Sequence, residues 1–439
     1  MSKIRLFGTS SGYVEIAPAA AASNNTLTAP STVGEIIAKD AAGAIGITSM
    51  KASNVNVGAA VTITESGIEA SGIGITCANI NGTAISGRRN MCFNGEMNIA
   101  QRATATSSGG GAGFDTVDRW DSASNTGGAY TSEQVTDAPD GYKYSYKRTI
   151  TTANTTSSGA EYLTFRQRLE GQDLQHLKYG TASAVPTTLS FWVKSNKTGT
   201  YTVSVENEDT QIFNGKTYTI NSSGTWEYKT LTYTGQKTEE GKAGLSNDNG
   251  PSIELQWWLK AGPSFNGGTF TDDSWQSTAN QRVSGSNVNV ADTVGNYWQI
   301  TGVQWEVGNQ ATAFEHRSYG DELALCQRYF FRLKPATSFA AYGVGGAYSN
   351  TQAVAQVHFP VPLRASPTFS YNGALSTFYD VIGGFASFSA MTVSQVMGSS
   401  ALGYTSVKVN VVGSGTPGNT FMLATFNNTD TYMDFNSEI

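Results

Sequence analysis

The dominant pattern along the chain is alternation of apolar and polar positions. Thr, Val, Tyr, Ile and Phe alternate with polar residues, and clusters of Gly, Asn, Asp and Ser break the runs. Alternation with period two sends every second side chain to one face, the signature of a half-buried strand. Clear cases are 142–147 (YKYSYK), 188–194 (TLSFWVK), 201–205 (YTVSV), 253–260 (IELQWWLK) and 298–307 (WQITGVQWEV). Between the second and third of these, 195–199 (SNKTG) reads as a hairpin turn. Two stretches read as helix. One is short, 169–179 (LEGQDLQHLKY). The other is 321–331 (DELALCQRYFF), where Asp321 is placed to cap the first turn and Leu325 and Tyr329 lie one turn apart. The pattern therefore predicts an all-β protein with one or two short helices.

The same pattern divides the chain into four parts. Residues 1–40 alternate at Ile4 and Leu6 and again at 13–16, then turn rich in Ala, Ser and Asn. That is too little apolar material for an independent core, so this segment must lie on a partner or fray as a chain end. In 41–88, isoleucines fall at 63, 68 and 73 and again at 75, 80 and 85, five apart within each run, with Ser-Gly pairs at 66–67, 71–72 and 86–87. A strand with one apolar residue per repeat cannot bury it alone. Three chains wound around a shared axis can, which predicts a short intertwined β stem and a homotrimer; the alternative is a Gly/Ser-rich linker. Residues 89–320 carry dense antiparallel strand signals and read as a jelly-roll-like sandwich. Residues 321–439 read as a short helix followed by a second, C-terminal β domain.

Composition narrows the function. Only 14% of the 439 residues are charged, against roughly 25% in ordinary soluble domains. Disorder is excluded by 20 Tyr, 20 Phe and 8 Trp, which bury large apolar areas. A net charge of −6 with no Lys/Arg run argues against a nucleic-acid partner. No apolar run reaches the roughly 18 residues of a membrane span. Cys77, Cys92 and Cys326 cannot form a closed disulfide framework and read as small buried hydrophobes. The first residues hold Lys3 and Arg5 but no apolar core of a secretory signal, so the expectation is folding in a reducing cytoplasm.

The residues that carry chemistry are few. Asp118, Asp121, Glu254, Asp272, Asp273 and Glu315 are the acids a polysaccharide-cleaving enzyme would draw on, and none sits in a recognisable glycosidase motif. No catalytic residue is therefore assigned. Arg102, Asp118, Arg119, Glu315, His316 and Arg317 are charges set among apolar residues. Buried charge requires pairing, so they read as internal ion pairs, with a ligand role for His316 as the lesser alternative. Asp118 and Asp121 with a nearby carbonyl offer some of the oxygens of a structural calcium site, but their spacing does not force one. No cofactor and no metal are assigned. Nucleotide-binding fingerprints and zinc spacings are absent, and Gly109 to Gly111 read as a loop.

Strand parity singles out two tryptophans. In 253–260 it puts Ile253, Leu255, Trp257 and Leu259 on one face and Glu254, Gln256, Trp258 and Lys260 on the other. In 188–194 it separates Leu189, Phe191 and Val193 from Ser190, Trp192 and Lys194. Trp192 and Trp258 thus stand on otherwise polar faces, where an aromatic serves a glycan site, a subunit interface or contact with a covering loop.

Several segments resemble a known family. Residues 62–89 (TITESGIEASGIGITCANINGTAISGRR) with 90–102 (NMCFNGEMNIAQR) resemble the stem-to-head junction of bacteriophage tail-fibre and related virion fibre proteins. So do 114–120 (FDTVDRW), 169–180, 189–201 and, most extensively, 300–331 (ITGVQWEVGNQATAFEHRSYGDELALCQRYFF), whereas the last hundred residues match no element of the family. The resemblance implies a trimeric structural protein of the virion, assembled in the host cytoplasm. It would be joined to other virion proteins through residues 1–40, with a head similar to carbohydrate-binding modules and a host-surface glycan as ligand. A tail fibre is the reading preferred, with a capsid-decorating head fibre and a depolymerase tailspike as alternatives; a bacterial adhesin would need the missing secretion signal. Light scattering on the purified protein is expected to give three times the 46.5 kDa chain mass. A monomer at micromolar concentration would refute the stem.

Overall fold

The computed structural model describes residues 88–108, 113–237, 244–373, 416–425 and 428–439, and the strand backbone at 4–7, 13–16, 61–64, 67–70, 79–80, 83–84, 378–380, 387–394 and 404–412. The chain divides into two compact units, Met1–Thr76 and Cys77–Ile439. In the first, β1 (Ile4–Phe7) pairs antiparallel with β2 (Tyr13–Ile16), and β3 (Val61–Thr64) pairs with β4 (Gly67–Ala70), with Ile63 opposite Ile68. The second unit opens with a similar small pair, β5 (Asn79–Ile80) and β6 (Thr83–Ala84). The rest of 1–40 and of the expected stem, with Cys77, lies outside the described residues, as do Gly109 to Gly111.

The sandwich is built from β7 (Ala105–Ser108), β8 (Ser124–Asn125), β9 (Ala129–Val135), β10 (Ser145–Thr152), β11 (Tyr162–Glu170), β12 (Thr187–Ser195), β13 (Gly199–Asn207), β14 (Ile212–Ile220), β15 (Glu227–Tyr233), β16 (Pro251–Ala261), β17 (Trp275–Gln276) and β18 (Tyr297–Val307). A short helix, α1 (Pro263–Asn266), follows β16. One sheet runs β15-β12-β18-β10-β9-β7 and the other β17-β14-β13-β16-β11-β8. Their inward faces carry the apolar half of each alternating strand. Leu189, Phe191 and Val193 of β12, and Trp298, Ile300 and Trp305 of β18, meet Leu163 and Phe165 of β11 and Leu255 and Trp257 of β16 in one core. Phe165 is its hub, stacked between Trp120 at 4.8 Å and Tyr146 at 4.2 Å with the edge of Trp298 at 5.6 Å.

A second β unit follows. Helix α2 (Tyr319–Gln327) leads into β19 (Phe330–Leu333), β20 (Ala341–Ser349), β21 (Gln352–His358), β22 (Thr368–Asn372), β23 (Phe378–Asp380), β24 (Ser387–Ser394), β25 (Tyr404–Val412), β26 (Thr420–Thr425) and β27 (Tyr432–Asn436). These form a three-stranded sheet, β19-β27-β22, and a six-stranded one, β23-β26-β20-β21-β25-β24. They share a separate core around Tyr342, Val357, Phe359, Leu423 and Phe435. The fold is all-β with two short helices.

Four local expectations are corrected. Residues 195–199 are not a hairpin, because β12 and β13 belong to opposite sheets. The segment arches across the sandwich, with Gly199 at φ +127° and the Tyr201 hydroxyl donating to the Lys197 carbonyl at 2.6 Å. The strand expected at 142–147 starts only at Ser145, since Tyr142 closes a turn onto the Pro139 carbonyl. In 169–179, Leu169 and Glu170 complete β11 and only two single 3₁₀ turns follow, Gly171–Asp173 and Gln175–Leu177. A Cβ on Gly171 would fall 2.0 Å from the Ser246 carbonyl, so the backbone is pinned there by close approach rather than carried on as helix. The helix at 321–331 begins earlier, at Tyr319. Ser318 caps it by accepting from the Asp321 amide at 3.2 Å, and the Asp321 carboxylate accepts the Ser318 hydroxyl at 2.6 Å. It stops at Gln327 because Phe330 and Phe331 pair with β27.

The residues after β27 return to the sandwich. Glu438 pairs with Arg119, which is fully buried, and lies 3.3 Å from Arg102. Glu170 accepts both Nε of Arg328 at 2.9 Å and Nη2 at 2.8 Å. Glu438→Ala leaves the Arg119 charge buried and unpaired, a situation that costs about 3–5 kcal/mol. The expected result is a correspondingly lower midpoint in guanidinium denaturation; an unchanged midpoint would show that the pair does not hold this junction.

Candidate functional site

Strand β12 commits Leu189, Phe191 and Val193 to the core and therefore turns Ser190, Trp192 and Lys194 outward. Register places Trp192 opposite Tyr228 of the edge strand β15, and the two rings lie 5.3 Å apart. Tyr228 is 44% exposed. The same parity brings Trp226 to this side, where its Nε1 donates to Asp137 at 3.2 Å. Asp137 also accepts from Lys194 at 2.7 Å and from Gln299 at 3.2 Å. Burial raises the Asp137 carboxyl, but the hydrogen bonds from Lys194, Trp226 and Gln299 outweigh it and hold it below the ordinary value. It is an anion that fixes three neighbours at once.

On the other side of Trp192, β18 bulges. Trp192 faces Thr301 while Ser190 faces Gln304, so one extra residue sits on β18. Gly302 takes φ +62° there, and a Cβ would fall 2.8 Å from the Tyr142 ring. The missing side chain lets Tyr142 lie against the strand. Tyr142 in turn meets Phe314 at 5.4 Å and His316 at 5.7 Å. Its hydroxyl is pushed up to about 12, by burial first and then by Tyr228 and Glu96, so it remains a neutral donor and acceptor. The outer face thus carries a band of rings, Tyr228, Trp192, Tyr142, Phe314 and His316, edged by Lys194, Asp137 and Gln299. Glu96 closes its end, pairing with His316 through one oxygen and accepting Asn98 Nδ2 at 2.6 Å through the other.

The outer face of the other sheet is closed. Trp258, placed by parity on an otherwise polar face, is 1% exposed, and of the three roles offered for it the structure shows contact with a covering segment. The chain after β16 folds back over it, seating Phe265 of α1 at 5.1 Å and packing Val283 alongside, and the indole donates to Ser204 Oγ at 2.9 Å. Its neighbours Glu254 and Gln256 are buried beneath arginines. Arg166 lies 2.6 Å from Asp121 and 3.2 Å from Glu254, and Arg168 lies 2.9 Å from Glu254 and 2.8 Å from Glu208. Burial pushes Glu254 up to about 8 against the pull of both arginines.

The other residues singled out by sequence are anchored in structural contacts. Arg102 lies 3.7 Å from Asp118, which accepts from the Gln101 amide at 3.0 Å; burial pushes Asp118 up to about 6 against the Arg102 charge. Glu315 accepts the Arg89 and Asn90 amides at 3.0 and 2.6 Å and lies 3.7 Å from Arg317, which also reaches Glu322 at 3.3 Å. Asp118 and Asp121 serve different arginines, and among the described residues no group of three or more His, Cys, Asp or Glu converges as metal ligands. Asp272 accepts the Thr217 amide and Asp273 the Thr234 amide, each at 2.9 Å. Cys92 and Cys326 are buried and free, and burial pushes the Cys92 thiol up to about 12.

Sequence reasoning found Trp192 but not its partners. Trp226 and Tyr228 were legible, since they share a parity opposite to Leu231 and Tyr233. Tyr142 was not, because its place depends on a bulge in a strand distant along the chain. Gly302→Ala puts a side chain into the left-handed region, at about 1–2 kcal/mol, and displaces the Tyr142 ring. A lower melting temperature and altered near-ultraviolet dichroism are expected; an unchanged spectrum would show that Gly302 does not set the ring.

The sequence matches no protein-family model and no curated protein. Solved structures that align with part of this chain include carbohydrate-binding modules. The TmCBM61 module in complex with β-1,4-galactotriose is 10% identical, covering 51% of this chain and 100% of that one at a TM-score of 0.24. The family 11 module of the cellulase Lic26A-Cel5E of Clostridium thermocellum is 14% identical, with coverage of 48% and 100% and a TM-score of 0.23. The CBM22-1–GH10 modules of xylanase 10B from the same organism, complexed with xylohexaose, are 14% identical, with coverage of 52% and 29% and a TM-score of 0.22.

Proposed function

We propose that this chain is a non-catalytic structural fibre protein of a bacteriophage virion, a trimeric tail fibre, that recognises a host-surface glycan through the outer face of the β15-β12-β18 sheet. The observation that carries the reading is the ring band. Tyr228, Trp192 and Tyr142 lie on the face turned away from the core, beside side chains already fixed by hydrogen bonds. Flat apolar rings with polar groups at their rim suit a pyranose, which presents C–H faces for stacking and hydroxyls around its edge. Preset polar partners reduce the ordering cost of binding.

The virion placement rests on the sequence segments that resemble phage fibres. Residues 1–40 are assigned to attachment in the virion and 41–88 to the stem. A head fibre on the capsid would carry the same face. The non-catalytic reading is supported by the engagement of the acidic residues named above, each tied to an arginine or a backbone amide.

Trp192→Ala and Tyr228→Ala are each expected to weaken binding to host cells at least tenfold while the oligomeric mass is retained. Incubation with host capsule or lipopolysaccharide is expected to release no oligosaccharide. Normal cell binding by both variants refutes the site, loss of the trimer moves these rings to a subunit interface, and reproducible shortening of the polysaccharide turns the reading to a tailspike.

A further inference from the structure

Beyond Glu96 the surface does not end. A cleft of about 440 Å³ opens there, lined by Asn98, Ala100, Gln134, Lys143, Tyr144 and Tyr319. Its volume falls within the roughly 300–1,000 Å³ of small-ligand sites. Three of its features lack an internal purpose. Tyr319, the first residue of α2, is 64% exposed. Lys143 makes no ion pair among the described residues, and its ammonium stands 4.9 Å from the centre of the Tyr144 ring. Asn98 gives its amide N–H to Glu96, but its Oδ1 is shut from solvent without a hydrogen-bond partner.

The cleft and the ring band share a wall. Glu96 holds His316, the last ring of the band, with one oxygen, and Asn98, on the cleft, with the other. Segment 142–144 serves both sides, with Tyr142 in the band and Tyr144 in the cleft.

We infer that the cleft is a second saccharide subsite, continuous with the ring band, so that the ligand is an oligosaccharide lying across the sheet with one hydroxyl-rich unit seated between Tyr144 and Tyr319. This rests on the glycan-binding reading of the band. In that arrangement Tyr319 and Tyr144 flank the sugar, and Lys143 donates to a ring or hydroxyl oxygen. Tyr228 and Trp192 lie 5.3 Å apart, Tyr142 lies 5.4 Å from Phe314 and 5.7 Å from His316, and those last two rings lie 5.0 Å apart. A two-unit ligand stacked on Tyr228 and Trp192 is occupied by those two rings, at the end of the band away from Glu96, and only a longer one also enters the cleft.

The test uses the full-length protein and fragments of host lipopolysaccharide O-chain, prepared by mild acid hydrolysis and sized from two to six sugar units, with affinity read by calorimetry. Affinity is expected to rise about tenfold or more from two units to the longest fragments. Tyr319→Ala and Lys143→Ala are each expected to remove about fivefold to tenfold of the affinity for long fragments, in line with the free energy of single aromatic or hydrogen-bond contacts, and to leave two-unit fragments bound as before. Tyr319 and Lys143 are exposed, so their variants are expected to melt with the wild type. Length-independent binding that Trp192→Ala abolishes and the two cleft variants leave intact overturns this inference and keeps the band. Binding to no fragment, or binding indifferent to Trp192→Ala, overturns the band and the cleft together.

Discussion

The pairing of Arg119 with Glu438 is the constraint on which the junction of the two β units rests. Arg119 has no exposed surface and takes the left-handed region at φ +71°, a conformation that costs a side-chain-bearing residue about 1–2 kcal/mol. Its guanidinium lies 3.4 Å above the Tyr329 ring and donates to the Arg168 carbonyl at 2.7 Å. It thereby ties the loop before β8, the end of β11, the turn after α2 and the residue beyond β27. The left-handed turn also sends three consecutive side chains to three places. Asp118 goes to Gln101 and Arg102, Arg119 to Glu438, and Trp120 to the stack on Phe165. The DRW element of the sequence is a structural knot, and its charges are consumed inside the protein.

The two outer faces of the sandwich receive opposite treatment. One is sealed by the chain that follows β16 and by arginines that neutralise Glu254, Glu206 and Asp121. The other is covered along β18, where Gln299, Thr301, Gln304 and Glu306 are buried, and leaves Tyr228 exposed with Trp192 and Tyr142 half-buried beside it. A sealed face of paired charges offers a newcomer little, since each ion pair must be broken to be used. Rings held in place present a ligand with area and demand no rearrangement. The asymmetry is set by what lies over each sheet: the excursion after β16 covers one, while on the other Gly302, in the β18 bulge, lets the Tyr142 ring lie against the strand.

This explains which parts of the molecule could be read from sequence. Period two identified the strands at 188–194, 201–205, 253–260 and 298–307, because inward positions must be apolar wherever one face is buried. Parity also placed Trp192 and Trp258 outside the core correctly. It could not say whether an outer face is covered, since that depends on Phe265 and Val283, which belong to a segment with no regular period. The arch at 195–199 has the same composition as a hairpin turn; what distinguishes them is whether the next strand pairs with the last one, a tertiary property. Phe330 and Phe331 continue a helical pattern locally and become strand because β27, a hundred residues on, pairs with them. Residues 169–179 fail as helix for a similar reason: Gly171 is clasped against Ser246.

The return of β27 also fixes how the distal β unit is carried. β19 leaves the sandwich and β27 comes back beside it, Phe330 opposite Asn436 and Leu333 opposite Met433. Residues 334–431 are thus an insertion whose two ends lie in neighbouring strands, so the loop entropy of closing it is met by one short ladder. That ladder is clamped on both sides. Arg328 holds Glu170 through two hydrogen bonds before β19, Arg119 holds Glu438 after β27, and Arg332 grips Asp434 within the sheet through two more. Paired guanidinium and carboxylate groups of this kind are directional and add geometric specificity to the contact.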